Sequence, residues 1–532
     1  MKKFTVLTLI GLLILAFGVT AYSQEKAPVL EFKASGFIDA ISEYNRNVPQ
    51  AALAGYSNGG TSGDTLFGAM TSVYLPSVGG LNDKAFDKKQ AYMETRGRLR
   101  FDAILGKEMS GTFFFEIDST RWGEVTPTYM AHRNYAGAWT TADRAAVEVK
   151  NMFLTFAVPA VPIPVTVQAG IHPLYIRPGV FLATDGPGVT AAAKIDPATI
   201  KLMWFKALEN QDYSADDVDF YGLEAFTKID AVTIGGYVVN INANTYPIGG
   251  NATLGTAPVD FQPATYAFSN VDYRADMWYL GLYLDGKLGP VNVNFDFSAD
   301  RGKAEDRRDA LVRVSDVKYR GFLGRLKVDY PWEKFNFGVV GIYGSGADQS
   351  KTSNNGAPGS TVADPTSGTT AVSTKVGAYV VPPGTEGGAG DSLILAGNGI
   401  NRMATQYGSA AGARFTRAPL GGLWIGKLYG SVKVTPDYKL TIEAYYVGDT
   451  TKSGNTIGTA RKADNVTKRD DKDIGWEIDV LNEIQIYKNL KWGIGLGVLF
   501  AGDAMDYWVS TADGNVSPKS PFALTTNLTY SF

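Results

Sequence analysis

The 532-residue chain has no cysteine. That absence excludes disulfide staples, thiolate metal centres and cysteine nucleophiles. Histidine is nearly missing too, with only His132 and His172. No Gly-x-Ser-x-Gly elbow accompanies them, so a Ser–His hydrolase has no framework here. Both histidines fall in predicted loops and read as solvent-exposed. Neither charge sign is in large excess: 50 Lys and Arg stand against 53 Asp and Glu. That balance points to no nucleic-acid partner. Past residue 19 there is no long uncharged apolar run, hence no helix of the roughly 20 residues that would anchor a chain in a bilayer. Asp212, Asp216, Asp217 and Asp219 lack calcium-loop spacing and read as a solvated acidic loop. The glycines of Gly493–Gly497 lack a phosphate-loop pattern and read as close wall packing. Neither an enzyme nor a cofactor is expected.

What is present begins at the N-terminus. Lys2 and Lys3 precede an apolar run from Phe4 to Val19, followed by Ala21-Tyr22-Ser23. Positive charge, a short apolar core and small residues make a secretory signal, with cleavage expected after Ser23. Residues 1–23 are therefore the leader, and 24–532 the mature domain.

The most informative stretch of that domain is Glu94-Thr95-Arg96-Gly97-Arg98-Leu99-Arg100-Phe101-Asp102. Strand side chains alternate between faces. Glu94, Arg96, Arg98, Arg100 and Asp102 thus share one face, and Leu99, Phe101, Ala103 and Leu105 the other. A short turn later, Glu116 and Asp118 oppose Phe113, Phe115 and Ile117. The pattern recurs with Asp296 among Val293, Phe295 and Phe297, with Arg325 and Lys327 against Leu326 and Val328, and with Glu443 against Ile442 and Ala444. A lipid-facing Arg or Lys near the bilayer midplane costs about 2–4 kcal/mol, so three arginines on one face must look into water or onto opposite charge.

Connection lengths alternate as well. Short Pro-, Gly-, Asp- and Asn-bearing turns, such as Gly106–Gly111 and Pro331–Lys334, separate longer segments. The longest are 44–89 and 346–420; others span 172–187, 208–218 and 301–315. The expected fold is all-β: a transmembrane, antiparallel, up-and-down barrel with short periplasmic turns and long external loops. About eighteen strands are expected, or sixteen if the poorly alternating hairpin around Asp196-Pro197 is loop. Abundant glycine (60) and 12% aromatic residues suit tight turns and interfacial girdles. One strand breaks register: Glu148 and Lys150 share parity with apolar Met152, Leu154 and Phe156, which a bulge would repair. Within 346–420, Ala378-Tyr379-Val380-Val381 and Leu393-Ile394-Leu395 are apolar enough to pack somewhere.

The C-terminal Leu528-Thr529-Tyr530-Ser531-Phe532 resembles the terminal strand of Gram-negative outer-membrane porins. Asp219-Phe220-Tyr221-Gly222-Leu223-Glu224 and Ile474-Gly475-Trp476-Glu477-Ile478-Asp479 are similar to porin strands entering from external loops. The resemblance implies an outer-membrane channel for passive diffusion of small hydrophilic solutes or ions. It implies contact with outer-membrane lipid and lipopolysaccharide, delivery by the outer-membrane assembly machinery reading the Phe532 strand, and a homotrimer as an option. It further implies a basic wall facing an inward-folded loop. Arg96, Arg98 and Arg100 look like that wall, with Arg325 and Lys327 beside it; Glu116, Asp118, Glu148, Asp296 and Glu443 are the acidic counterparts. Glu94, Asp102 and Lys150 complete the expected pore lining. Loop 172–187, with Arg177 and Asp185, is the first candidate for the inward loop, and 346–420 the second.

Two other classes stay open. A substrate-specific outer-membrane transporter is one; its active, energy-coupled form resembles a 22-stranded barrel with an N-terminal plug, for which the first predicted strand, Leu30–Ile41, leaves no room after the leader. An exported all-β binding protein would show blade-like repeats, and none is found.

Overall fold

A computed structural model describes residues 29–47, 89–118, 122, 146–176, 181–209, 217–244, 273–306, 317–346, 348, 375–380, 393–394, 421–455, 460–465, 467 and 469–532. Its architecture is a closed antiparallel barrel of 18 strands. In chain order these are β1 Leu30–Arg46, β2 Lys89–Leu105, β3 Met109–Asp118, β4 Ala146–Ala157, β5 Val165–Ile176 and β6 Leu182–Ile195. They continue with β7 Ala198–Leu208, β8 Val218–Ile229, β9 Val232–Ala243, β10 Tyr273–Leu288, β11 Val291–Asp306 and β12 Phe322–Trp332. The last six are β13 Phe335–Gly344, β14 Leu423–Thr435, β15 Tyr438–Asp449, β16 Asp473–Tyr487, β17 Leu490–Ala501 and β18 Phe522–Ser531. Each pairs with its sequence neighbours, and β18 returns to β1.

Closure removes the unpaired edges that an open sheet would expose, a requirement where no water can satisfy the backbone. The seam is sealed at the last residue. Gly36 and Phe532 exchange both backbone hydrogen bonds, at 2.9 and 3.0 Å. A Cβ on Gly36 would stand 2.3 Å from the Arg98 carbonyl oxygen, so only glycine lets the first strand lie this close to β2.

The outward face is apolar through the middle of the wall. On β17 it reads Trp492, Ile494, Leu496, Val498 and Phe500, while Gly493, Gly495, Gly497 and Leu499 face inward. Leu202, Leu282, Leu428 and Ile442 are each more than half exposed on the outside, which a soluble protein would not tolerate as a continuous belt. Aromatic residues rim both ends: Trp332, Tyr487 and Tyr530 by the turns, and Trp278, Trp424, Tyr343 and Trp476 by the loops. That is the surface of a membrane-spanning barrel.

The hairpin around Asp196-Pro197 is wall, formed by β6 and β7, so the count of eighteen holds and sixteen does not. The bulge is present too. Phe114 pairs with Asn151 and Phe115 with Val149, leaving Lys150 as the extra residue. It resets the parity, so that Val147 and Val149 below it and Met152 and Leu154 above it all face outward.

The segment 172–187 corrects an expectation: residues 172–176 and 182–187 are strand, not loop. β5 runs to Ile176 and β6 starts at Leu182, pairing from Val165↔Ala193 to Ile176↔Leu182. The reason is visible in the flanks. β4 pairs with β5 only as far as Ile171, and β7 meets β6 only from Gly188 onward. Above those points the hairpin is two-stranded, with free outer edges that tolerate Pro173 and Pro187. Those prolines and the neighbouring glycines look like loop punctuation in the sequence.

Candidate functional site

The site is the barrel interior, built from the inward positions of the strands. On β2 the alternation points Glu94, Arg96, Arg98 and Asp102 inward, with Arg100 between the last two on the same parity. The β2–β3 register sets Arg98 opposite Glu116 and Asp102 opposite Thr112. Glu116 consequently holds two arginines: Arg96 Nη2 lies 2.8 Å from its Oε1, and Arg98 pairs with its Oε2. Arg98 also sits over the rings of Phe37 and Phe114 at 5.9 and 6.0 Å. Arg100 chelates Asp102 at 2.8 Å, and Thr112 donates to the same carboxylate at 2.6 Å. Exposure climbs along the column, from 2% for the Arg96 side chain through 20% for Arg98 to 46% for Arg100. Only the last two offer charge to solution.

The other expected lining residues fall into separate groups. Asp296 faces Arg325 in the β11–β12 register, and Arg325 bonds Asn294. Lys327 lies near Asp329 at 3.7 Å and over the Tyr429 ring at 5.8 Å. Glu443 is buried against Lys427, 2.9 Å away, and accepts the Tyr445 hydroxyl. Glu148 is exposed near the loop end of β4. Lys150, pushed out by the bulge, reaches Asp185 at 2.6 Å, and Asn151 donates to the same carboxylate at 2.7 Å. Asp185 is thus a wall residue tying β6 to β4. Arg177 and the side chain of Asp118 lie outside the described residues, as do His132, Asp212 and Asp216.

Two further expectations are corrected. His172 is fully buried on β5, between Phe153 and Phe205, rather than exposed in a loop. Its Nδ1 is 3.0 Å from the Gly170 carbonyl, which can only accept, so Nδ1 carries the proton and Nε2 accepts from Thr190 at 2.9 Å. Asp217 and Asp219 are not a solvated cluster either. Both are buried and ion-paired with Lys206, at 3.1 and 3.6 Å.

Apolar side chains from the connections pack into the loop-side half of the interior. Phe181, at the tip of the β5–β6 hairpin, stacks on Tyr237 of β9 at 4.8 Å and meets Tyr279 of β10 at 4.9 Å. Val376, Ala378 and Val380, from the long connection 345–422, join the same apolar cluster. Tyr379, Leu393 and Ile394 of that connection join a second cluster with Leu323, Ile425, Tyr445 and Leu499.

Polar anchors hold the connection in place. Ser345 Oγ donates to the Gly377 carbonyl at 2.7 Å, and the Ser345 carbonyl accepts from Tyr379 at 2.9 Å. The buried Asp300 carboxylate accepts the backbone N–H groups of Gly321 and of Val380, the latter at 2.8 Å. Farther round the wall, Asp479 accepts from Leu393 at 2.9 Å and Glu477 from Ile394 at 2.7 Å. Of the second candidate for an inward segment, residues 377–380 and 393–394 are therefore held against two different parts of the wall.

Asp300, Ser345, Lys427, Glu477 and Asp479 went unnoticed as site residues in the sequence. Their alternation was readable; their partners, about eighty residues away for Asp300 and Asp479, were not.

No family model matches the chain, and no curated protein matches it. Solved structures do. OccK8 (OprE) of Pseudomonas aeruginosa is 10% identical over 94% of this chain and 98% of its own, with a TM-score of 0.45. The outer membrane protein opdK of the same organism gives 7% identity, 94% and 99% coverage and a TM-score of 0.44. OccD1 (OprD) gives 10%, 95%, 98% and 0.43. The barrel's closure rests on its own strand ladder, whatever these neighbours resemble.

Proposed function

We propose that this chain is an outer-membrane porin of a Gram-negative bacterium, a channel rather than an enzyme. It passes small hydrophilic solutes or ions down their gradients. One observation carries this reading: a ring with a lipid-compatible outer belt encloses charged inward side chains, and its interior is narrowed by its own chain. In this reading residues 1–23 are a cleaved export signal. The Phe532 strand is the signal for the outer-membrane assembly machinery. Lipid and lipopolysaccharide contact the belt, and the working unit is a homotrimer.

The pore lining comprises Glu94, Arg96, Arg98, Arg100, Asp102, Glu116, Asp118, Glu148, Lys150, Asp296, Arg325, Lys327 and Glu443. Within it, Arg98 and Arg100 set ion preference because they alone of the arginine column face solution. Arg96 is structural. The two apolar clusters in the loop-side half favour a solute-selective channel over a general one, since a wide pore has no use for such filling.

The test is conductance of the purified protein in planar bilayers. Discrete ion-conducting steps are expected. An absence of conductance from heat-modifiable, correctly folded barrel would reject the channel.

A further inference from the structure

The outer face of the loop-side rim carries a cationic patch on β10, β11 and the short strands beside them. The β10–β11 register sets Trp278 opposite Arg301, Asp276 opposite Lys303 and Arg274 opposite Glu305. Alternation puts all six on the outside, since Met277, Tyr279 and Asp300 between them are buried. The ladder continues onto Val317–Tyr319, where Lys303 meets Lys318, and then onto Lys375–Val376, where Lys318 meets Lys375. Tyr319 and Val376 turn inward into the first apolar cluster, so the exposed Lys318 and Lys375 beside them turn outward. One step toward the membrane, the same register brings the exposed Arg320 beside Arg301, whose Nη1 donates to the Gly321 carbonyl at 3.0 Å.

Among the described residues of this face, six cations stand with two carboxylates, Asp276 and Glu305. Glu305 serves both Arg274, at 3.1 Å, and Lys303, and Asp276 accepts from Asn240 at 2.6 Å. In sequence, the connection 307–316 adds three arginines and only two aspartates. Like charges directly opposite one another across strands are destabilising, and here three lysines form one row on strands about 4.8 Å apart. An anion laid along the row turns that repulsion into attraction. Height selects the anion. Outward-facing Trp278 and Phe322 mark the membrane interface. Lys303 stands two residues beyond the level of Trp278, about 7 Å at roughly 3.4 Å per residue. The headgroup layer of one leaflet is about 5–8 Å thick, so the row lies at phosphate depth. We propose that this patch docks the phosphorylated headgroup of lipopolysaccharide in the outer leaflet, with Lys303, Lys318 and Lys375 as its phosphate contacts. This rests on the outer-membrane reading and gives its lipid contact a place.

The experiment titrates folded, full-length protein in detergent with bisphosphorylated lipid A, using dephosphorylated lipid A as the control. Bound lipid is counted by native mass spectrometry in magnesium-free buffer. Wild type should bind the phosphorylated lipid at least about tenfold more tightly, because each cation near an anionic headgroup adds to the attraction. Lys303→Gln, Lys318→Gln and Lys375→Gln together should erase that preference. A matched variant of exposed turn-end lysines, Lys107→Gln, Lys228→Gln and Lys334→Gln, should keep it. Equal binding of the two lipids by wild type, an unaltered preference in the rim variant, or an equal loss in the turn-end variant overturns the proposal. Inorganic phosphate that displaces the lipid at equal concentration assigns the row to a free anion and overturns the lipid. Should the triple rim variant not fold, Lys318→Gln alone, in the middle of the row, should lower the preference severalfold, and no change there overturns the proposal. A barrel that binds the lipid by its phosphates but passes no current rejects the channel and keeps this site; one that conducts without phosphate preference rejects the site alone.

Discussion

The two halves of the barrel use the same alternation to opposite ends. Near the turns, inward charges are wet: Lys33, Arg100, Lys439 and Lys491 are each more than two-fifths exposed. Near the loops, inward charges are dry: Glu94, Asp300, Glu477 and Asp479 are fully buried. The wall is not what differs. Among the described residues, the loop-side half has Phe181 and residues 376–380 and 393–394 packed into it, and the turn-side half has no such insert. An identical pattern of side chains is therefore an electrostatic lining at one end and a set of structural anchors at the other.

The arginine column crosses that boundary and gives the sharpest contrast. Arg96→Leu leaves Glu116 buried with half its pairing gone. Breaking a buried pair costs about 3–5 kcal/mol, so thermal unfolding in detergent should drop by many degrees. Arg100→Leu removes a partly exposed pair worth about 0–1 kcal/mol and should leave unfolding almost unmoved. Equal losses in the two variants would erase the distinction between wet and dry.

The next effect belongs to the anchors. Asp300→Ala strands the N–H groups of Gly321 and Val380, each about 1–3 kcal/mol when left buried and unpaired. The connection should come loose while the wall persists. Single-channel conductance should rise severalfold, and protease should cut the 345–422 connection faster. Wild-type conductance would mean the connection does not obstruct the pore.

The frame of this molecule was legible because lipid imposes it. Period-two alternation, the turn punctuation and the terminal Phe532 predict the barrel, and even the bulge at Lys150 follows from the parity break between Glu148 and Met152. The interior was legible only by face. That Arg96 points inward is a local fact; that Glu116 serves both Arg96 and Arg98 depends on side-chain reach across a strand pair. The anchors were further from view, since nothing near Asp300 in sequence announces Val380. The β5–β6 hairpin failed for a different reason. Pro173 and Pro187 mark a loop by composition, and become permissible in strand because the ladders to β4 and β7 end before reaching them.

On the wet side, Arg98→Glu with Arg100→Glu reverses two charges that face solution. The reversal potential in a salt gradient should move toward cations, and the unfolding temperature should fall as well, because Arg98→Glu sets a second carboxylate against buried Glu116; an unmoved potential would remove these residues from the selectivity assignment. The smallest effect is expected at Glu483, where Lys439 (2.9 Å) and Lys491 share one partly exposed carboxylate at the turn end. Lys439→Gln leaves Lys491 in place, so at most a few tenths of a kcal/mol should be lost. What little there is should vanish at 1 M salt, where the screening length is about 3 Å. The Arg96 loss, shielded from ions by burial, should persist at that same salt. A salt-insensitive Lys439 effect would mean that the turn-side interior is drier than its exposure implies.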